Sequence, residues 1–298
     1  MKAGHIALVG RPNVGKSTLL NHLIGQKIAI TSRKPQTTRH ALLGIRSEGD
    51  CQLVFVDTPG LQPAQQARAK ALNRQMNRTA KQSADFVDVI LLVLEAGRIS
   101  DADREVIQLL AGFPQPKLAL INKIDRLPNP EALLPQLAQL QELAPWRALI
   151  PVSALKGTNL PTVIAQLTAL LPERPWFYGE DEITTSATRF LVAETLREKL
   201  FRYLHQEVPY GLGVVIDAYR EEEALIRIDA TIIVERNSQK AIVIGRGGSM
   251  LKLIGSRARA DLEKLLERKV MLKTFVKSKE NWQDNEQILQ SMGQGNNV

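Results

Sequence analysis

The sequence predicts an α/β domain built on a doubly wound, mostly parallel sheet, followed by a smaller α+β domain. Three observations predict it. Over residues 1–170, apolar strand-like runs alternate with helical patterns, and repeated β–α units place a parallel sheet between helices. A Gly-bounded stretch, Gly10-Arg11-Pro12-Asn13-Val14-Gly15-Lys16-Ser17-Thr18, joins an apolar run at 6–9 to a helical pattern reaching Leu23 and Ile24. After residue 188 the pattern order changes to α-β-β-α-α-β.

The elements follow in order. After the first strand and helix comes a polar loop over 31–38, then two β-like runs, 41–46 and 52–56, joined by Glu48-Gly49-Asp50 as a hairpin. Residues 61–83 are rich in Ala, Gln and Arg and read as a loop and helix. Strands are expected at 87–94, 117–121 and 148–152, and helices at 102–110, 131–143 and 160–171. Residues 172–187, with two prolines, Trp176, Gly179 and a run of acids, read as an inter-domain linker. In the second domain, 188–278, Phe190, Ala193, Leu196, Leu200 and Leu204 recur at helical spacing, while Ile226, Ile228, Ala230, Ile232 and Val234 alternate as in a half-buried strand. Leu251, Ile254, Ala258, Leu262 and Leu265 mark a further amphipathic helix, 270–276 a closing strand, and 279–298 a polar tail.

Composition narrows the classes. The chain has 298 residues, 44% hydrophobic and 23% charged, which suits an ordinary two-domain globular protein. One cysteine, Cys51, and four scattered histidines exclude a disulfide framework and a Cys/His metal cluster. The single cysteine suggests a reducing, cytoplasmic compartment. No leader pattern is read at the N-terminus, and the longest apolar runs, such as that at 90–94, are too short to span a bilayer. The net charge of +8 favours an anionic partner. Its distribution is informative: 236–279 holds 12 Lys and Arg against 3 acids, next to 171–235 with 7 against 13.

The stretch 10–18 has the form of a phosphate-cradling P-loop. Its glycines let backbone N–H groups converge on one anion, and the helix start adds unpaired donors. Lys16 can reach the β- and γ-phosphates, and the Ser17 hydroxyl can ligate Mg²⁺. The run at 52–56 ends in Asp57-Thr58-Pro59-Gly60, where Asp57 can hold Mg²⁺ through water and the Gly60 N–H can touch a γ-phosphate. The strand at 117–121 ends in Asn122-Lys123-Ile124-Asp125. A carboxylate at Asp125 accepts from both N1–H and the exocyclic amine of guanine. Adenine offers neither donor there, so GTP and GDP are the expected nucleotides. Lys123 can lie along the base and Asn122 can brace the loop. Ser153-Ala154-Leu155 can orient Asp125 and offer a backbone N–H to the guanine oxygen. Each tetrapeptide alone is a common polar loop, whereas the ordered set is not.

This ordered set resembles P-loop GTPases related to translation factors. The flanking residues, Gly-Arg-Pro-Asn-Val-Gly-Lys-Ser-Thr-Leu-Leu-Asn, Pro-Gln-Thr-Thr-Arg-His and Asp-Thr-Pro-Gly-Leu, closely resemble those of the bacterial Era GTPases. The resemblance implies that Thr38 joins Ser17 on Mg²⁺, with Thr37 the rival assignment. Leu61 stands where Ras-like enzymes carry a water-orienting glutamine, and leucine cannot orient water, so slow intrinsic hydrolysis is expected. Lys16, Thr38, Gly60 and Asn13 are the candidate catalytic set. Relatives with this asparagine imply that Asn13 helps hold K⁺; the alternative is that it only shapes the loop. Arg39 is a further candidate charge stabiliser or a solvated arginine.

In the second domain, Gly245-Arg246-Gly247-Gly248 precedes a basic amphipathic helix. The glycines allow close backbone approach to a sugar–phosphate chain, Arg246 can pair with phosphate, and Lys252, Arg257 and Arg259 extend the positive footprint. A Gly-x-x-Gly loop between helices is the KH arrangement, which clamps about four single-stranded nucleotides. The element order resembles the type II KH domain of Era proteins. Arg-Phe-Leu-Val-Ala-Glu at 189–194 and Glu-Val-Pro-Tyr at 207–210 strengthen the match. The resemblance implies binding of the single-stranded 3′ end of 16S rRNA, a role in 16S rRNA processing and 30S subunit biogenesis, a monomeric state and peripheral attachment to the inner membrane. A tRNA-modifying or membrane-switch GTPase is the alternative, although no further nucleophile or lipid anchor is visible in the sequence.

Overall fold

The computed structural model of the protein describes residues 1–32, 34, 37–38, 41–61, 86–205 and 207–284. The chain divides into two compact units, Met1–Ala29 with Thr38–Thr185, and Ile30–Thr37 with Ser186–Val298.

The first unit is the expected α/β layer structure. Strands β1 (Lys2–Val9), β2 (Leu42–Glu48), β3 (Cys51–Asp57), β4 (Val89–Glu95), β5 (Lys117–Asn122) and β6 (Ala148–Pro151) form one sheet in the order β2-β3-β1-β4-β5-β6. Only β2 runs antiparallel, because the Gly49 turn returns the chain directly onto β3. The other pairings are parallel and need helical crossovers. Residues Val89 through Leu94 are all buried, as expected for a strand covered on both faces. Helices α1 (Lys16–Ile24), α2 (Asp101–Ala111) and α3 (Leu134–Leu143) connect these strands, and α4 (Leu160–Leu170) follows the last of them. The helix expected at 131–143 begins instead as a 3₁₀ turn, Pro130–Leu133, with Pro135 in the first turn of α3. β1, β3 and β5 therefore end together, and Gly10, Asp57 and Asn122 meet at one edge.

Residues 172–185 correct the linker reading. The edge strand β2 has open backbone groups, and this segment satisfies them: Ile45 N–H donates to the Ile183 carbonyl at 2.8 Å, and the Thr184 hydroxyl donates to the Leu43 carbonyl at 2.6 Å. The buried Gln52 carboxamide oxygen accepts from Phe177 and Tyr178 N–H, and its NH₂ donates to the Tyr178 carbonyl. The segment is thus packed structure of the first unit.

In the second unit, α5 (Thr188–Tyr203), β7 (Leu212–Glu221), β8 (Ile226–Val234), α6 (Asn237–Ile244), α7 (Ser249–Leu265) and β9 (Val270–Ser278) follow the α-β-β-α-α-β order. The sheet runs β7-β8-β9, antiparallel then parallel. Its core joins Leu196, Leu200, Ile232, Val243, Ile254 and Ala258. Ile30–Thr37 also belongs to this unit. Lys34 Nζ donates to the Phe201 and Leu204 carbonyls at the end of α5, and Arg197 donates to the Thr37 carbonyl. The tail reading needs correction as well. Trp282 is 1% exposed, packs on Ile233 and Val215, and donates its indole N–H to the Gly211 carbonyl at 3.0 Å. One aromatic ring offers enough apolar area to hold a polar terminus down. All but Leu61 of the loop and helix expected over 61–83, together with Arg39 and residues 285–298, lie outside the described residues.

Candidate functional site: a nucleotide pocket and a glycine loop

The P-loop leaves β1 and bends through Gly10 (φ 151°), Asn13 (φ 66°) and Gly15 (φ 105°) before α1 begins at Lys16. A side chain at Gly15 would meet the Asn122 amide nitrogen at 2.3 Å, so only glycine admits that brace. Lys16 is 6% exposed, and its ammonium donates to the Gly10 and Arg11 carbonyls, each at 3.0 Å. Burial pushes its pKa down to about 8, with Asp57 opposing and Arg11 adding to the shift.

Ser17, Thr38 and Asp57 come together. Asp57 Oδ2 accepts from Ser17 Oγ at 2.7 Å, and Ser17 Oγ lies 2.9 Å from Thr38 Oγ1. Asp57 is fully buried; burial raises its pKa to about 6 against the pull of Lys16 and the two hydroxyls. Its Oδ1 is buried without a hydrogen-bond partner among the described residues. An orphaned carboxylate oxygen beside two hydroxyls is a hard, all-oxygen donor set that suits Mg²⁺. The rival Thr37 is turned elsewhere, its hydroxyl donating to the Lys34 carbonyl at 2.7 Å.

Gly60 packs directly on the P-loop. A Cβ there would lie 2.5 Å from Pro12 N. Leu61 N–H donates to the Gly10 carbonyl at 3.1 Å, and its side chain, 4% exposed, joins the core with Val9 and Val56. Leu61 therefore serves packing and points no polar group at solvent. Thr58 donates to the Leu8 carbonyl at 2.7 Å, and Pro59 is buried beside it. Gly60→Ala should cut GTP hydrolysis at least about tenfold through this collision while leaving GDP, which lacks a γ-phosphate, bound within about twofold. Single-turnover hydrolysis and GDP titration check both halves.

The base end is equally built. Asn122, 2% exposed, donates to the Val14 carbonyl at 2.8 Å and accepts from Lys123 and Ala154 N–H at 2.8 and 2.9 Å. Lys123 (φ 69°) reaches the Asn13 carbonyl at 2.6 Å and Glu95 at 2.9 Å. Ser153 Oγ donates to Asp125 Oδ1 at 2.5 Å. The Ala154 N–H donates to Asn122, and Leu155 is 71% exposed. The pairings of Glu95 with Lys123 and of Asp103 with Arg11 escape sequence reasoning: Glu95 has no local signature, and Ser100-x-x-Asp103 announces only a helix cap.

In the second unit, α6 ends at a loop with Gly245 (φ 72°), Gly247 (φ 58°) and Gly248 (φ 80°) all left-handed. A Cβ on Gly245 would sit 2.6 Å from that of Met250. Arg246, Lys252, Arg257 and Arg259 are exposed and form no ion pair among the described residues. Ile242 (48% exposed) and Leu253 (39%) add apolar surface on the two flanking helices. Within the Ile242-Val243-Ile244 run, Val243 is buried while Ile242 turns outward. Bare cations beside exposed apolar side chains fit the phosphates and base faces of a single strand.

Comparisons agree with this geometry. A family profile described as 50S ribosome-binding GTPase matches residues 5–123, and a KH domain profile matches residues 207–283. GTPase Era of Pseudomonas entomophila is 47% identical over 294 residues, covering 99% of this chain and 97% of that protein. GTPase Era of Pseudomonas aeruginosa strain LESB58 is 47% identical, covering 99% and 95%. Among solved structures, a point variant of Aquifex aeolicus Era bound to GDP·AlF4⁻ superposes with a TM-score of 0.92 at 37% identity, over 99% of both chains. Era in complex with MgGDPNP and nucleotides 1506–1542 of 16S ribosomal RNA superposes at 0.91 and 36% identity, again over 99% of both.

Fold and site together define a P-loop GTPase carrying a C-terminal KH domain. Identity over nearly the full length then sets the family: the chain belongs to the GTPase Era family. No helix among the described residues is long and apolar enough to cross a membrane.

Proposed function

We propose that this GTPase binds the single-stranded 3′ region of 16S rRNA and acts in 16S rRNA processing and 30S subunit biogenesis. The observation that carries it is the 245–248 loop, its three glycines at positive φ and its flanking cations without ion pairs among the described residues, on a chain that superposes on an Era structure holding nucleotides 1506–1542 of 16S rRNA. Crosslinking in cells, with sequencing of the bound RNA, tests it. Reads should pile up at the 16S rRNA 3′ end. A pile-up on tRNA would contradict it and favour a tRNA-modifying GTPase.

The site residues take the following roles. The Asp125 oxygen left free by Ser153 accepts from guanine. Lys16 keeps its two carbonyl bonds and directs its third proton at the phosphates. Ser17, Thr38 and Asp57 hold Mg²⁺, which when bound neutralises charge on the β- and γ-phosphates. The Gly60 N–H senses the γ-phosphate. Arg246 and Lys252 pair with RNA phosphates, while the glycines let the strand approach.

Leu61 orients no water, so hydrolysis is slow and charge must be neutralised otherwise. Asn13 is the proposed K⁺ contact. Asn13→Ala should abolish the excess of the hydrolysis rate in K⁺ over that in Na⁺. Equal wild-type rates in the two salts would sink this assignment.

The nucleotide state is proposed to set RNA affinity. Thr38, on the Mg²⁺ donor set, and Thr37, bound by Arg197, are consecutive in the chain, so ordering one restrains the other. The chain is proposed to work as a monomer in the cytoplasm, with a peripheral fraction at the inner membrane.

A further inference from the structure

The side chain of Arg11 ends on α2. Its Nε donates to Asp103 Oδ1 at 2.6 Å. Asp103 is 1% exposed, and its other oxygen accepts from Ser100 N–H at 2.9 Å and Ser100 Oγ at 2.6 Å. Those Ser100 bonds, with Asp103 N–H donating back to Ser100 Oγ, complete a capping box for α2. A capping box does not need Arg11. The additional bond ties the second residue of the P-loop to a separate helix. Arg11 also supplies one of the two carbonyls that hold the Lys16 ammonium, and the next residue, Pro12, is the surface on which Gly60 packs. The arm from Arg11 to Pro12 is therefore one wall of the place where a γ-phosphate would sit.

We infer that Asp103 is a positioning residue for GTP hydrolysis: by anchoring Arg11 it fixes the Arg11–Pro12 arm against which Gly60 is set for the γ-phosphate. The inference rests on the GTPase assignment. The backbone of an unanchored arm samples neighbouring conformations, and small displacements of aligning groups weaken a transition state more than a ground state. GDP has no group at that wall, so its affinity is spared.

The test uses the full chain and single-turnover hydrolysis alongside GDP titration. Asp103→Asn turns one amide N–H₂ toward donors on Arg11 or Ser100, and should slow hydrolysis about tenfold with GDP affinity kept within about twofold. Arg11→Gln should give a similar loss, and the double variant should be no slower than either single one, as expected for groups acting through one bond. Arg11→Lys keeps the charge and should recover most of the rate. Ser100→Ala separates helix capping from anchoring: it should lower the melting temperature and leave hydrolysis unchanged. If Asp103→Asn fails to fold, Arg11→Gln and Arg11→Lys, at a side chain 27% exposed, carry the comparison. Parallel losses of hydrolysis and GDP affinity, or additive single effects, would overturn the inference. A wild-type protein without GTP turnover would overturn the GTPase assignment instead.

Discussion

Asp125→Asn should lower GTP affinity by about 10⁴-fold and raise xanthosine triphosphate affinity in its place. The carboxylate accepts two donors from the guanine edge, and Ser153 holds its other oxygen at 2.5 Å, so the group cannot swing away to find water. An amide presents NH₂ where an acceptor is needed. That leaves guanine's exocyclic amine facing a donor, the kind of mismatch that discriminates strongly because both groups lose their partners. Xanthine carries an oxygen at that position and restores the bond. Titration of Asp125→Asn with both nucleotides reads the exchange directly. Retained GTP preference would place the base elsewhere.

Lys16→Met should lower single-turnover GTP hydrolysis by about 10³-fold. Lys16 is the buried cation of the phosphate site, and the fold already stabilises it with the Gly10 and Arg11 carbonyls and the neighbouring Asp57. Methionine keeps the length and volume of the side chain but offers no donor, so the γ-phosphate loses a preorganised charge in a desolvated pocket. GDP affinity should fall as well, because the β-phosphate shares the contact. Hydrolysis within about tenfold of wild type would show that Lys16 is not the principal cation.

Much of the molecule is legible in its sequence, for physical reasons. A strand covered on both faces must be a continuous apolar run, and β4 reads so at 89–94. A P-loop requires glycine where φ is positive or where another side chain crosses, and Gly15 meets Asn122 as that logic demands. Leu61 is readable as a residue unable to orient water; its burial with Val9 and Val56 shows where the side chain goes instead. The unread parts are long-range. Arg197 meets Thr37 across 160 positions, and Arg11 meets Asp103 across 92. Neither pair leaves a local pattern, since a single Arg or Asp on a polar segment reads as a solvated charge. Gln52 looks like a polar start to an apolar run, yet it is the hook that binds residues 177 and 178. Trp282 looks like part of a polar tail because one residue has no periodicity. Leu253, which falls between the apolar positions 251, 254, 258 and 262, faces solvent as that spacing requires.

The central claim is that a guanine-nucleotide site governs the grip of a KH domain on single-stranded RNA. The most direct measurement is the affinity of the full chain for a short RNA matching the 16S rRNA 3′ end, taken with a non-hydrolysable GTP analogue, with GDP and without nucleotide. Binding should be tightest with the analogue, and that difference should vanish in Thr38→Ala. Equal affinity in all three states would contradict the claim.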